Sequence, residues 1–224
     1  MAELEYKDYT QRNLPHFHPR GATIFVTFRL AGSIPQPVLR QWKARRLWLD
    51  EEIRRISDLK LENNSPELEE QDKRLREFTR VWFSKFEYIL HRAECGPVWL
   101  KDDRVARIVV EALHHRDERS YRLDAYCLMS NHVHAVFKPL LPATSMHSPL
   151  SSIMKTLKGY TAFQANRVLG RSGAFWERES FDHAVRNAEE FDRIVRYVLN
   201  KPVKAGLVTE WQQWKWTYRR KDVP

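Results

Sequence analysis

Two apolar segments joined by a single residue most constrain how this chain can fold. Residues 121–129 and 131–138 are both dominated by apolar and aromatic side chains, and only Ser130 separates them. Strands this close in sequence pair as an antiparallel hairpin. Because side chains alternate along a strand, His132 and His134 point to one face of the hairpin, and the apolar residues between and after them point to the other.

The remaining periodicity predicts helices packed on a small antiparallel sheet. Residues 23–30 alternate like a strand with one buried face, and a short strand near residues 175–180 completes the pattern. The spacing of apolar residues predicts three further helices, over residues 103–115, 149–169 and 187–199. This order of strands and helices predicts an α+β fold with a ferredoxin-like split arrangement.

The length of 224 residues suits one main domain with additions. We assign residues 1–208 to this domain, which begins with an irregular arm over residues 1–21. Two charged amphipathic segments within residues 38–91 predict a helical hairpin inserted into the domain. Residues 209–224 are rich in Trp, Lys, Tyr and Arg and predict a basic aromatic C-terminal tail.

Charge and composition favour a polyanionic partner and exclude several protein classes. The net charge is +9, and eight Trp with eight Tyr supply rings that can stack on exposed bases. No apolar run approaches the ~20 residues of a membrane span, so a membrane protein is excluded. Two cysteines, Cys95 and Cys127, are too few for a disulfide framework. These features predict a cytoplasmic protein.

The histidine pair is the sharpest chemical feature of the sequence. Two imidazoles side by side on a rigid strand can clamp a metal ion. The alternative is a pair of half-buried histidines that are hydrogen-bonded to their neighbours. On the helix that follows, Ile153, Leu157, Tyr160 and Gln164 fall on one stripe, so the phenol and the amide are directed at the sheet. The alternative for the phenol is an aromatic residue at the edge of the core, with its hydroxyl satisfied. The alternative for the amide is a polar end to the apolar stripe.

Several longer motifs resemble those of single-tyrosine transposases, which belong to the His-hydrophobic-His (HUH) nucleases. The resemblance is greatest to the REP-associated tyrosine transposases of the IS200-like group, and it covers about residues 15 to 208. The chain departs from the family's pattern at two positions: Ser130 stands where the family usually has Pro, and Lys201 interrupts the usual Asn-Pro step. The segments that carry the resemblance are residues 21–30, 128–134, 157–162, 170–176 and 197–207.

This resemblance implies an HUH nuclease fold and a metal-dependent single-stranded DNA endonuclease and strand transferase. It implies that His132, His134 and Gln164 hold Mg²⁺ or Mn²⁺, and that Tyr160 attacks phosphorus to form a 5′-phosphotyrosine. The implied substrate is single-stranded DNA with a hairpin beside the cleavage point. The implied protein is a monomer or a homodimer that acts in the cytoplasm, associated with the nucleoid.

Eight basic or aromatic side chains are candidates for DNA contacts: Lys155, Lys158, Arg167, Arg171, Trp214, Lys215, Arg219 and Arg220. Two alternatives to strand transfer remain open at the level of sequence. One is a non-catalytic DNA-hairpin-binding protein of the same fold. The other is a phosphodiesterase or RNase that activates water with a metal, in which Tyr160 is structural.

Overall fold

The computed structural model describes residues 21–58, 66–140 and 149–221. In this part of the chain five strands form one antiparallel sheet in the order β4-β1-β3-β2-β5. The predicted N-terminal arm lies outside the described residues, apart from Gly21. The strands are β1 (Ile24–Arg29), β2 (Tyr121–Leu128), β3 (His132–Pro139), β4 (Phe181–Ala184) and β5 (Thr217–Arg219).

Side-chain caps mark the starts of two helices. The Asp102 side chain accepts from the Arg104 amide at the start of α3, and the Asn187 side chain accepts from the Glu190 amide at the start of α5. The helices are α1 (Gln36–Asp58), α2 (Pro66–Arg92), α3 (Asp103–Arg116), α4 (Pro149–Val168), α5 (Ala188–Leu199) and the short α6 (Lys201–Lys204). None of the helices in the described ranges combines the length and apolar character that crossing a membrane requires.

The predicted α+β fold with a ferredoxin-like sheet is confirmed. Apart from α1 and α2, which come between β1 and α3, the chain order is β1, α3, β2, β3, α4 and β4, and the strand order β4-β1-β3-β2 is that of the split arrangement. The predicted short strand near residues 175–180 is displaced to β4. The reason is that Phe175 and Trp176 instead anchor this stretch in the core, where Trp176 Nε1 donates to Thr161 Oγ1 at 2.8 Å.

The two faces of the sheet are covered by different helices. Val133, Ala135 and Phe137 of β3 lie in the main core together with residues of α3 and α4, such as Val109 and Leu157. The opposite face, which carries the histidines, packs against α5. Both faces of β1 and β3 are therefore buried, which is unusual for antiparallel strands.

Residues 217–219 are part of the sheet, within the range 209–224 for which the sequence predicts a basic aromatic C-terminal tail. Strand β5 pairs with β2, with Tyr218 opposite Tyr126, and their rings stack with centroids 5.5 Å apart. The Arg220 guanidinium also donates to both Asp117 carboxylate oxygens at 2.6 Å. Apolar and ionic contacts of this kind explain why an alternating Trp-Lys-Tyr-Arg segment is ordered here rather than solvated.

Residues 34–96 form a compact unit of their own, made of α1 and α2. Its described apolar side chains include a buried cluster of Ile34, Leu39 and Leu90. Phe86 lies next to Trp42, with ring centroids 5.9 Å apart, and so links the two helices. The sequence placed a helical hairpin insertion near residues 38–91, within the range of this unit.

Candidate metal and nucleophile site

The histidine pair of β3 is buried and closely spaced. His132 and His134 are 2% and 0% exposed, and their Nε2 atoms lie 3.0 Å apart. When two imidazole nitrogens each lie about 2.1 Å from one cation and the nitrogen–cation–nitrogen angle is about a right angle, the nitrogens are about 3 Å apart. The spacing of the two Nε2 atoms therefore fits two ligands of one metal ion.

The remaining ring nitrogens are held by hydrogen bonds that favour metal binding. His132 Nδ1 lies 2.7 Å from the Asn131 amide oxygen, and His134 Nδ1 lies 2.8 Å from Thr27 Oγ1. In the tautomer whose Nδ1–H donates to these oxygens, each Nε2 keeps its lone pair, which is the form that ligates metal. Burial, followed by the positive charge of Lys201, holds the pKa of His134 well below its ordinary value, so this ring stays neutral.

Tyr197 of α5 is the phenol that the structure places beside the pair. Its ring centroid lies 5.9 Å from that of His134 and 6.0 Å from that of Phe25, in edge-on geometry with both. The residue is half-buried, as expected for a ring that reaches from α5 to the sheet. Sequence analysis included Tyr197 only as part of a motif and gave it no chemical role.

Lys201 binds the oxygen of this phenol. Its ammonium donates to the Tyr197 hydroxyl at 2.6 Å, one helical turn further along the chain, and lies 4.0 Å from the ring centroid. Lys201 is only 6% exposed, and lysines this deeply buried are rare unless they are paired, as Lys201 is with Tyr197. The departure from the Asn-Pro step thus brings a buried positive charge to the histidine face of the sheet.

Asn131 adds a buried donor next to the pair. Its side-chain Nδ2 has no hydrogen-bond partner among the described residues, although Asn131 is 0% exposed. A buried amide group without a partner costs free energy, so such groups in native proteins commonly serve a ligand. Arg29 lies across from His132 in the β1–β3 register and pairs with Glu177 at 3.1 Å.

The structure does not bring Tyr160 and Gln164 to the histidine pair. Both lie on α4, whose buried residues Leu157 and Ala165 join the core on the opposite face of the sheet. Tyr160 is 51% exposed, and its ring lies under the Arg116 guanidinium at 5.7 Å. Within one chain the sheet therefore separates these two residues from the candidate metal ligands.

Most of the eight predicted DNA contacts have partners inside the protein. Lys158 donates to the Glu177 and Arg178 carbonyls, Lys215 pairs with Asp103, and Arg220 pairs with Asp117. A further two pack through their side chains, since Trp214 Nε1 donates to the Leu128 carbonyl and the Arg171 guanidinium lies 3.8 Å from the Trp99 ring centroid. Lys155 and Arg167 are exposed on α4, and Arg219 is exposed on β5.

Comparison with known proteins finds one matching family over part of the chain. Residues 99–201 match the family described as "Transposase IS200 like". The match confirms the resemblance to IS200-like transposases that the motifs indicated. A solved structure described as a REP-associated tyrosine transposase bound to a REP hairpin is 16% identical, covers 94% of this chain and 81% of its own, and has a TM-score of 0.46. Comparison with curated proteins gives no match.

Proposed function

Since residues 99–201 match IS200-like transposases, we propose that this chain is a transposase that cuts and rejoins single-stranded DNA with Tyr197 as its nucleophile. The observation that carries the proposal is the placement of a phenol beside a buried His-x-His pair, with His134 and Tyr197 centroids 5.9 Å apart. A nucleophile must lie next to the groups that orient and polarise the scissile phosphate. Tyr197 meets this condition, and Tyr160 does not within one chain.

The donor set of the pair fits a divalent ion such as Mg²⁺ or Mn²⁺. Nε2 of His132 and Nε2 of His134 would hold it, because the Nδ1 atoms already have oxygen partners. Such an ion supplies Lewis-acid polarisation of the scissile phosphate when it is bound. The Asn131 Nδ2 group, which has no partner in the described part of the chain, would donate to a phosphate oxygen.

The proposed reaction exchanges one phosphate ester for another. The Tyr197 hydroxyl gives up its proton to solvent as its oxygen attacks phosphorus, the bond from phosphorus to the 3′ oxygen breaks, and the released 3′ oxygen takes a proton from solvent. A 5′-phosphotyrosine remains, so a second 3′ end can be joined without ATP because the ester bond is conserved. The Lys201 ammonium stabilises negative charge on the Tyr197 oxygen, both before attack and when that oxygen leaves.

A covalent adduct tests the proposal and separates the two tyrosines. We would incubate the full chain with labelled, hairpin-bearing single-stranded DNA and Mn²⁺, denature it, and resolve protein–DNA adducts on a gel. The expected result is an adduct that Tyr197→Phe abolishes, whereas Tyr160→Phe and the exposed control Tyr88→Phe retain it. If Tyr160→Phe alone abolishes the adduct, the nucleophile assignment made from the sequence is correct and ours is wrong.

One observation favours a second candidate, a non-catalytic DNA-hairpin-binding protein. The Lys201 ammonium is buried on the same face as the pair, and its charge opposes a second cation there. This candidate predicts a gel shift without cleavage or adduct in Mn²⁺. Cleavage that survives both tyrosine substitutions would instead indicate hydrolysis by an activated water.

A further inference from the structure

We propose that Arg29, the last residue of β1, binds the scissile phosphate through its guanidinium and is therefore a further substrate-binding residue on the histidine face of the sheet. The choice of the scissile phosphate as the ligand rests on the proposed function. The phosphate-binding character of Arg29 rests on the face where its side chain lies, on its burial, and on the way in which Glu177 holds it.

Side-chain alternation along β1 places Arg29 on the histidine face. Two earlier residues of the strand already contact His134, since Phe25 stacks on its ring with centroids 5.8 Å apart and Thr27 Oγ1 lies 2.8 Å from its Nδ1. Arg29 follows Thr27 by two positions, so its side chain leaves the strand on the same face. It is also directly opposite His132 in the β1–β3 register. Opposite residues of antiparallel strands have Cβ atoms about 4.5–5.5 Å apart, so Arg29 begins beside the histidine pair.

The side chain of Arg29 is a buried cation. Arg29 is 9% exposed, and arginines are rarely buried unless they are paired. Burial lowers the pKa of Arg29, and the negative charge of Glu177 opposes this shift. The guanidinium keeps its charge at neutral pH, because the ordinary pKa of arginine is far above 7. Water and salt screen a buried charge less than an exposed one, so an anion that reaches this group is held more strongly than at the surface.

Glu177 holds one side of the guanidinium in a fixed position. Arg29 Nη1 donates to Glu177 Oε2 at 3.1 Å, and the Glu177 amide donates to the Arg29 carbonyl at 2.9 Å. Glu177 is itself fixed, since its other carboxylate oxygen accepts from the Arg178 amide at 3.3 Å and its carbonyl accepts from Lys158 Nζ at 3.0 Å. The orientation of Arg29 is thus set before a ligand arrives, which lowers the entropic cost of binding.

The pairing with Glu177 leaves donors of the guanidinium for a ligand. A guanidinium has five N–H donors in one plane, and in the described part of the chain Glu177 Oε2 is the acceptor that it reaches. This planar fork matches two oxygens of one phosphate, which is why arginine is favoured for phosphate recognition. The Asn131 carbonyl accepts from the Leu30 amide at 2.8 Å, so the residue with the buried Nδ2 donor lies across from the same end of β1.

A purely structural ion pair is the simplest alternative. It would fasten the segment around Trp176 to β1, but backbone contacts already do so. Leu30 and Trp176 form an antiparallel bridge, and the Ala31 amide donates to the Phe175 carbonyl at 2.9 Å. Because desolvation opposes a buried ion pair, such a pair adds little stability that apolar packing could not supply. A ligand for the guanidinium explains why the charge is retained there.

The test measures whether Arg29 and one phosphate of the DNA depend on each other. The full chain is titrated in EDTA, without metal-dependent cleavage, against hairpin-bearing single-stranded DNA in which one phosphate at a time is a neutral methylphosphonate. At the scissile position this replacement should weaken wild-type binding about 10- to 100-fold, as expected for hydrogen bonds to a charged group. In Arg29→Gln the loss there should be about tenfold smaller, and the losses at other positions should agree with wild type within about twofold.

Two control variants separate the guanidinium from the ion pair. Glu177→Gln removes the partner charge but keeps an oxygen that accepts from Nη1, so the loss at the scissile position should stay within about twofold of wild type. Arg80→Gln removes a cation from an exposed pair with Glu77 on α2 and should also leave the loss unchanged. Melting temperatures in EDTA show which variants are folded. If Arg29→Gln is unfolded, Arg29→Lys replaces it, and its loss should be smaller than that of wild type by more than about twofold, since lysine lacks the fork.

Three results would overturn the proposal. The first is a loss that agrees between wild type and the Arg29 variant at every phosphate. The second is a loss that disappears equally in the Arg29 and Glu177 variants, because the ion pair would then carry the effect. The third is dependence on Arg29 at a phosphate other than the one that becomes linked to the protein. Binding in EDTA needs neither metal nor nucleophile, so dependence at one phosphate without an adduct on Tyr197 would contradict the proposed reaction and leave the phosphate contact of Arg29 established.

Discussion

Replacing Thr27 with valine tests whether the hydrogen bonds to Nδ1 prepare the histidine pair for a cation. Thr27 Oγ1 lies 2.8 Å from His134 Nδ1, and Thr27 is 6% exposed. Valine has nearly the same shape but no oxygen. The buried ring then either leaves its Nδ1–H without an acceptor or moves the proton to Nε2, the atom that has to bind the cation.

The expected change in Mn²⁺ affinity follows from these two outcomes. A buried donor without a partner costs about 1–3 kcal/mol, and every 1.4 kcal/mol is about tenfold in affinity. Loss of an oxygen partner of a metal-binding histidine commonly costs about 10- to 100-fold in metal affinity. We therefore expect the Mn²⁺ dissociation constant of Thr27→Val to rise about 10- to 100-fold.

The assay is a Mn²⁺ titration in which free Mn²⁺ is measured by electron paramagnetic resonance. Thr156→Val is the matched control, because its hydroxyl donates to the Ile153 carbonyl on α4, across the sheet from the pair. Melting temperatures in EDTA show whether each variant is folded. A folded Thr27→Val protein that binds Mn²⁺ as tightly as wild type would refute the reasoning.

Three further predictions concern stability and reactivity. Leu157→Ala, at a residue 0% exposed in the core, should lower the free energy of unfolding by about 2–5 kcal/mol in urea titrations, and a loss below 1 kcal/mol would contradict the packing. Burial raises the pKa of the Cys127 thiol to about 12, so iodoacetamide at pH 8 should label the partly exposed Cys95 and leave Cys127 unmodified until the chain is denatured. His134 binds a proton less readily in the folded protein than in the unfolded chain. The free energy of unfolding should therefore fall as the pH falls below about 6.5. In EDTA the decrease from pH 7.5 to 5.5 should be up to about 1.4 kcal/mol larger in wild type than in His134→Gln, and equal decreases would contradict the assignment.

Local patterns were sufficient to predict the sheet and its histidine face. Strict alternation in β1 and β3 placed Val133 in the core and the two histidines opposite it, as the structure has them. The register of α4 was harder to predict, because Thr161 is buried where a polar residue suggests solvent. Its hydroxyl donates to the Leu157 carbonyl at 2.7 Å and accepts from Trp176 Nε1, and this second bond depends on a contact that local sequence does not reveal.

The chain topology contained a signal for Tyr197 that local patterns lacked. In a split βαβ arrangement the helices that follow β1 and β3 cover the same face, which is the face of Val133. Within one chain a residue of α4 therefore does not reach histidines that point the other way, and under the proposed function a later helix supplies the phenol. Which later helix covers that face depends on the long-range pairing of β4 and β5 at the two edges of the sheet.

Mapping the DNA-linked peptide by mass spectrometry tests most directly the claim that a phenol and the histidine pair share one site. Trypsin releases Tyr197 within residues 197–204 and Tyr160 within residues 159–167, since cleavage does not occur between Lys201 and Pro202. After reaction with hairpin-bearing DNA and Mn²⁺, we predict a nucleotide phosphate on the 197–204 peptide. A nucleotide found on the 159–167 peptide, with 197–204 unmodified, would contradict the account.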